Sequence, residues 1–244
     1  MKLYENQMNK IITILFTSAL FLLSCQQEKK KEGDTNNQNI SSQKEESTVK
    51  DKVQNLIAIE ELADSAFVNL RKVSDSFQYD MRYATDNNFL GQKVYDCANC
   101  WLRARTVKAL IQANKEFVKK GYKIQFYDCF RPRAVQYKMW EVMPDARYVA
   151  NPKSGSIHNR GDAVDITLVN IKTNKALDMG TDFDYFGKEA HYDYDQLPAQ
   201  VQENRKLLRS VMEANGFQGI RTEWWHFSFI GEVYPISNQA LCNE

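Results

Sequence analysis

"SGSIHNRGDAVDITL", residues 154–168, places one of the chain's three histidines seven positions ahead of an aspartate. Val164, Ile166 and Leu168 alternate with Asp165 and Thr167, the period of two that marks a strand with one apolar face. A carboxylate in such a run is desolvated and needs a partner. The alternation aims Asp165 at a site rather than into the main core. The turn Asn159-Arg160-Gly161 can bring the His158 imidazole back beside it.

Outward from this strand, the pattern is mixed. Residues 74–85 alternate loosely and predict a strand. Residues 102–120 carry Val107, Leu110, Ile111, Phe117 and Val118 at helical spacing, with Gly121 just past the end. A strand over 122–130 follows. A second helix covers 131–143, with Pro132 in its first turn. A third covers 200–217, stopped at Asn215-Gly216, and 224–229 reads as a closing strand. No internal repeat is visible. This order predicts an α+β fold in a single domain, a small and mostly antiparallel sheet with packed helices.

Composition narrows the function. The 244 residues are 43% hydrophobic and 12% aromatic, enough for a substantial core. With 32 Lys and Arg against 31 Asp and Glu, the formal charge is +1, which gives no support to nucleic-acid binding and leaves small molecules, peptides or proteins as partners.

The N-terminus reads as a targeting signal. Lys2 and Lys10 precede an apolar stretch over 11–23, too short to span a bilayer comfortably. It ends in Leu22-Leu23-Ser24-Cys25, which resembles the lipobox of bacterial lipoproteins. Residues 1–24 are therefore expected to be a lipoprotein signal peptide, with either Met1 or Met8 as the start and Cys25 as the lipidated residue. Residues 25–52, rich in Gln, Lys, Glu, Asn, Ser and Thr without aromatics, read as a flexible tether. The folded domain is expected over 53–244. The chain is expected to be exported and anchored to a bacterial membrane by its lipid, facing the periplasm or the cell exterior.

Four cysteines fall in the folded region: Cys97, Cys100, Cys129 and Cys242. Three pairings are possible, and the sequence does not choose among them. Cys97-x-x-Cys100 has no second CxxC to complete a zinc ribbon, so a structural disulfide or buried thiols is the favoured reading.

The second cluster is "RTEWWHFSF", residues 221–229. Glu223 and His226 lie three apart, on opposite sides of a plain strand, so a bulge or turn is needed to bring them together. Trp224 and Trp225 would wall the site from water. His158, Asp165 and His226 together form a zinc ligand set with an open fourth position, the catalytic pattern, with Glu223 left as a nearby base. His191 lies in a polar loop and reads as a non-ligand.

"SIHNRGDAVD" matches the SxHxxGxAxD signature of the zinc D,D-peptidases related to the VanX-type D-alanyl-D-alanine dipeptidases, and "EWWH" resembles that family's second motif. "YATDNNF" (83–89), "YDCFRP" (127–132), "DMGTDFDYF" (178–186) and "ENRKLLRSVMEANGF" (203–217) resemble further family blocks in the expected order. The resemblance covers residues 79–234. It implies a Hedgehog/DD-peptidase-like fold and one Zn2+ per domain on His158, Asp165 and His226. It implies Glu223 as catalytic base and Arg131 as the group stabilising the transition state. Asp184 is implied to receive the dipeptide's free amino group, with Tyr83 and Ser156 near that end. Asp162 is an extra carboxylate beside the metal motif.

The implied activity is zinc-dependent hydrolysis of D-Ala-D-Ala or related small D-amino-acid dipeptides, in cell-wall turnover or salvage. Two other readings stay open at this point. One is a peptidoglycan stem-peptide D,D-carboxypeptidase or endopeptidase. The other is a non-catalytic zinc-containing cell-wall binding module, against which Glu223 argues.

Overall fold

The structure is a computed structural model and describes residues 58–240 and 242. The chain divides into residues 1–46 and 47–244, and all described residues belong to the second unit. The expected signal peptide, Cys25 and the whole tether over 25–52 lie outside the described residues. Among those described, no helix is long and apolar enough to cross a membrane.

Among the described residues, seven strands form two sheets. β1 (Phe67–Asn69) pairs antiparallel with β3 (Trp101–Arg103) in a small ribbon. The main sheet contains β2 (Gln78–Tyr79), β4 (Tyr122–Asp128), β5 (Ala163–Asn170), β6 (Phe217–Ile220) and β7 (Glu223–Phe229), in the order β2-β4-β5-β7-β6. Every neighbouring pair is antiparallel except β2 with β4. The expectation of an α+β domain with a mostly antiparallel sheet holds.

The three long helices among the described residues are α1 (Ala104–Lys119), α2 (Arg133–Val142) and α3 (Ala199–Ala214). In α1 the three-and-four spacing buries Val107, Leu110, Ala113 and Phe117. Past its end Gly121 takes φ +87°, the left-handed conformation that releases the chain into β4. Leu208 and Met212 of α3 join the same core, as do Val164, Ile166 and Leu168 of β5. Asp165 and Thr167 are thereby left for the opposite face.

Several boundaries differ from the sequence reading: β4 ends at Asp128, α2 is Arg133–Val142, and α3 ends at Ala214, leaving Phe217 to β6. Leu102 belongs to β3, not to α1. The strand expected over 74–85 shrinks to Gln78–Tyr79, because the chain then turns into a 3-10 segment at Arg82–Ala84. The Asp80 N–H still reaches Phe126 O at 2.9 Å, the last bond to β4 before the turn. That turn brings Tyr83 into the interior.

The cysteines pair as Cys97–Cys242 and Cys100–Cys129. The two members of the CxxC therefore bond to different partners, as structural disulfides.

Candidate metal centre and active site

The site is built on one row of the sheet. In the β5–β7 ladder Asp165 stands directly opposite His226, so both side chains leave on the same face. In the β4–β5 ladder Asp128 stands opposite Asp165, after a register shift between Phe126 and Asp128. The shift keeps Phe126 opposite Ile166 in the core while carrying Asp128 into the row of Asp165.

His158 completes the cluster from outside the sheet. It opens a 3-10 turn, His158–Arg160, which Gly161 ends at φ +87°. A Cβ at Gly161 would lie 2.6 Å from the Phe67 ring, so both conformation and space call for glycine. His158 Nε2 sits 3.2 Å from His226 Nδ1 and 3.3 Å from Asp165 Oδ1, and His226 Nδ1 sits 3.0 Å from the same oxygen. All three residues are buried.

The outer nitrogen of His158 fixes what its inner one must be. His158 Nδ1 donates to the Cys129 carbonyl at 2.8 Å, a bond only an N–H can make. His226 Nε2 lies 3.0 Å from Ser228 Oγ. His158 Nε2 is therefore a lone pair; with His226 Nε2 donating to Ser228 Oγ, His226 Nδ1 is one too, and both then point at a carboxylate oxygen. Three buried acceptors converging on one point repel each other unless a cation lies between them. Two imidazoles and a carboxylate suit zinc, with room for a fourth ligand. The same arrangement explains the proton behaviour of the metal-free cluster. Burial works against charge on both partners. The attraction between them outweighs it, pushing His158 up and holding Asp165 well below the usual carboxylate range.

The required irregularity between Glu223 and His226 is present. Gly219 pairs with Phe227, but the next residue, Ile220, pairs with Glu223. Residues 224–226 are accommodated as a bulge, and Glu223 and His226 come to line one cavity of about 340 Å³. Burial raises the Glu223 carboxyl above its ordinary value, and the Asp165 charge adds to this against the nearby histidines and Arg131. Trp225 lines the cavity, whereas Trp224 turns its Nε1–H to Thr181 Oγ1 at 2.8 Å.

Arg131 lines the same cavity, and Asp128 holds it there. Its Nη2 donates to Asp128 Oδ2 at 2.6 Å and its Nη1 to Gln136 Oε1 at 3.1 Å. Asp128 also accepts from the Tyr95 hydroxyl at 2.6 Å. Burial opposes the Arg131 charge, but Asp128 outweighs it and keeps the guanidinium protonated.

At another wall lies Asp184, at φ +60° in the left-handed region that non-glycine residues seldom adopt. It accepts from the Tyr83 hydroxyl at 2.8 Å. Burial and the Asp165 charge push its carboxyl well above the ordinary range. Ser156 lines the cavity too, and its buried Oγ has no hydrogen-bond partner among the described residues.

The structure thus brings His158, Asp165, His226, Glu223, Arg131, Asp184, Tyr83 and Ser156 to one cavity. Asp162 is not part of it. Its carboxylate takes Arg105 Nη2 at 2.8 Å and Thr106 Oγ1 at 2.8 Å, an ion pair between α1 and the start of β5. His191 also stands apart; the metal-competent group found among the described residues is His158, Asp165 and His226. Sequence reasoning missed Asp128, Tyr95 and Gln136. For Asp128 a signal was available: it is a carboxylate ending a buried strand, three residues before the arginine.

Lone-pair donors around one point, with a carboxylate and a guanidinium facing the same cavity, define the metal-dependent hydrolase class. The chain matches the peptidase M15 family model, described as D-Ala-D-Ala dipeptidase, over residues 63–243, and it belongs to that family. It is 35% identical over 177 residues to a D-alanyl-D-alanine dipeptidase of Escherichia coli (strain K12), covering 72% of this chain and 91% of that protein. A protein of the same name from Streptomyces coelicolor is 31% identical over 194 residues, covering 70% and 94% respectively. Another, from Enterococcus faecalis, is 29% identical over 192 residues, covering 70% and 95%.

Proposed function

We propose that this protein is a zinc D,D-dipeptidase that hydrolyses D-Ala-D-Ala. The observation that carries this reading is the convergence of His158 Nε2, His226 Nδ1 and Asp165 Oδ1, in a cavity that also holds Glu223, Arg131 and Asp184. One zinc held by His158, Asp165 and His226 would supply Lewis-acid polarisation of the scissile carbonyl and acidify the attacking water.

The chain's own residues do the rest. Glu223, with its raised carboxyl, takes the proton of the attacking water and passes it to the leaving amine. Arg131, kept charged by Asp128, stabilises the negative charge that develops on the carbonyl oxygen. Asp184 receives the substrate's ammonium, oriented by the Tyr83 hydroxyl, and Ser156 Oγ offers a free hydrogen-bonding group in the same cavity. About 340 Å³ is near the small end of ligand pockets, which run from about 300 to 1,000 Å³, and suits a dipeptide. The Asp184 carboxylate favours a free amine, and so a dipeptide over a longer or blocked stem peptide.

Lipidation at Cys25 and export place the enzyme outside the cytoplasm in this reading. Its role there is salvage of dipeptide released from the wall, since D-Ala-D-Ala made for wall synthesis is cytoplasmic. Cys25→Ala is expected to release the protein from the membrane fraction. A variant still bound to membranes after a high-salt wash contradicts the anchor.

The test of the catalytic reading is Glu223→Gln. Zinc content and melting temperature are expected to stay near wild type while kcat for D-Ala-D-Ala falls about a hundred- to ten-thousand-fold. Near-normal turnover would remove the base assignment, and absence of D-Ala-D-Ala hydrolysis by the zinc-loaded wild type would favour a binding module.

A further inference from the structure

Cys129 sits one residue beyond β4, between Asp128 and the turn that carries Arg131. Its carbonyl takes no place in the strand ladder and instead accepts the His158 Nδ1–H at 2.8 Å. Its N–H is turned to its neighbour's side chain, Asp128 Oδ1, at 2.9 Å. Its sulfur is bonded to Cys100, and both cysteines are fully buried. The segment that orients a metal-site histidine is thus tied covalently to the loop entering β3. One residue further on, the Phe130 N–H reaches Trp101 O at 3.0 Å, so a bond to the backbone lies beside the covalent one.

We propose that the Cys100–Cys129 disulfide is a positioning element of the metal centre, holding the Cys129 carbonyl where it fixes the His158 ring and turns Nε2 toward the metal. Partners that orient a ligand histidine through its other nitrogen set the tautomer and the ring direction. A carbonyl on a free loop does this less well than one anchored through its own side chain. The bond forms only in an oxidising compartment. The centre therefore reaches full zinc affinity after export and stays weak in a reducing cytoplasm. This inference rests on the zinc reading above.

The second disulfide supplies the control. Cys97–Cys242 closes a loop spanning 145 positions, against 29 for Cys100–Cys129. On chain entropy the longer loop contributes more to global stability, yet none of its members touches the metal cluster. Zinc affinity and thermal stability should therefore separate. Zinc dissociation constants are measured by competition with a chromophoric chelator, beside melting temperatures of the metal-free proteins. Cys100→Ala with Cys129→Ala is expected to weaken zinc binding about 10- to 100-fold. Cys97→Ala with Cys242→Ala is expected to leave zinc affinity within about twofold while lowering the melting temperature at least as much.

Should the first pair of substitutions prevent folding, the Cys97→Ala/Cys242→Ala protein is measured before and after reduction of its remaining cystine, with the reductant removed under argon. Reduction is expected to weaken zinc binding and reoxidation to restore it. Equal zinc affinity with and without the Cys100–Cys129 bond overturns the proposal. So does equal weakening by loss of either disulfide. A wild type that binds no zinc overturns the metal reading itself, and this inference with it.

Discussion

The Tyr83 hydroxyl donates to Asp184 Oδ2 at 2.8 Å, joining two residues 101 positions apart across the cavity. Asp184 holds a left-handed backbone conformation to make this contact. Strained conformations of this kind persist where the surroundings fix them, commonly at functional sites.

Acetylating the amine of D-Ala-D-Ala is therefore expected to lower kcat/KM about a thousandfold or more, since the acetylated dipeptide leaves Asp184 desolvated without its ammonium partner. Asp184→Asn is expected to lose most activity on the free dipeptide and less on the acetylated one, narrowing the gap. Steady-state kinetics on both substrates checks this. Equal cleavage of the two by wild type would favour the carboxypeptidase reading.

The loop carrying Asp184 is clamped from behind. Arg205 of α3 donates from Nε to Met179 O at 2.7 Å and from Nη1 to His191 O at 3.0 Å, so one guanidinium holds both sides of the segment. Arg205→Ala is expected to cost about 2 kcal/mol or more of stability, from two hydrogen bonds made by a charged group. It is also expected to raise KM for the dipeptide more than it lowers kcat. Denaturant unfolding and kinetics together test this. An unchanged KM would make Arg205 purely structural.

The His158–Asp165 pair sets a pH dependence. The carboxylate raises the His158 pKa above its ordinary value. In the metal-free protein this attraction is fully present below about 6.5, the unfolded histidine pKa, and is lost as pH rises through the raised folded value. Zinc needs the unprotonated nitrogen, so its affinity runs the other way and falls as pH drops through that raised value. Zinc titrations between about pH 5.5 and 8 are expected to show at least one proton released per metal on the acidic side. A flat affinity over that range contradicts the ligand role of His158.

Much of this site was legible before the fold. The alternation around Asp165 separated a core face from a site face, and the structure keeps Val164, Ile166 and Leu168 in the core. The need for a bulge between Glu223 and His226 followed from strand geometry alone, and the β6–β7 register supplies it. What stayed hidden depends on contacts between distant segments. The ladder that puts Asp128 opposite Asp165 turns on a bulge after Phe126 that no local residue signals. The strand expected over 74–85 is longer than β2 because alternation continues through Arg82–Ala84, where the chain has already turned to deliver Tyr83. The disulfide pairing is likewise a product of the tertiary fold, since neither partner of the CxxC bonds the other.

The central claim is that dipeptide hydrolysis depends on one zinc held by His158, Asp165 and His226. The most direct measurement is the rate of D-alanine release from D-Ala-D-Ala as zinc is titrated into the chelator-stripped protein. Activity is expected to rise linearly from near zero and to level off at one equivalent, and His158→Ala is expected to show no rise over the same range. Full activity in the stripped wild type, or an equal rise in His158→Ala, would contradict the account.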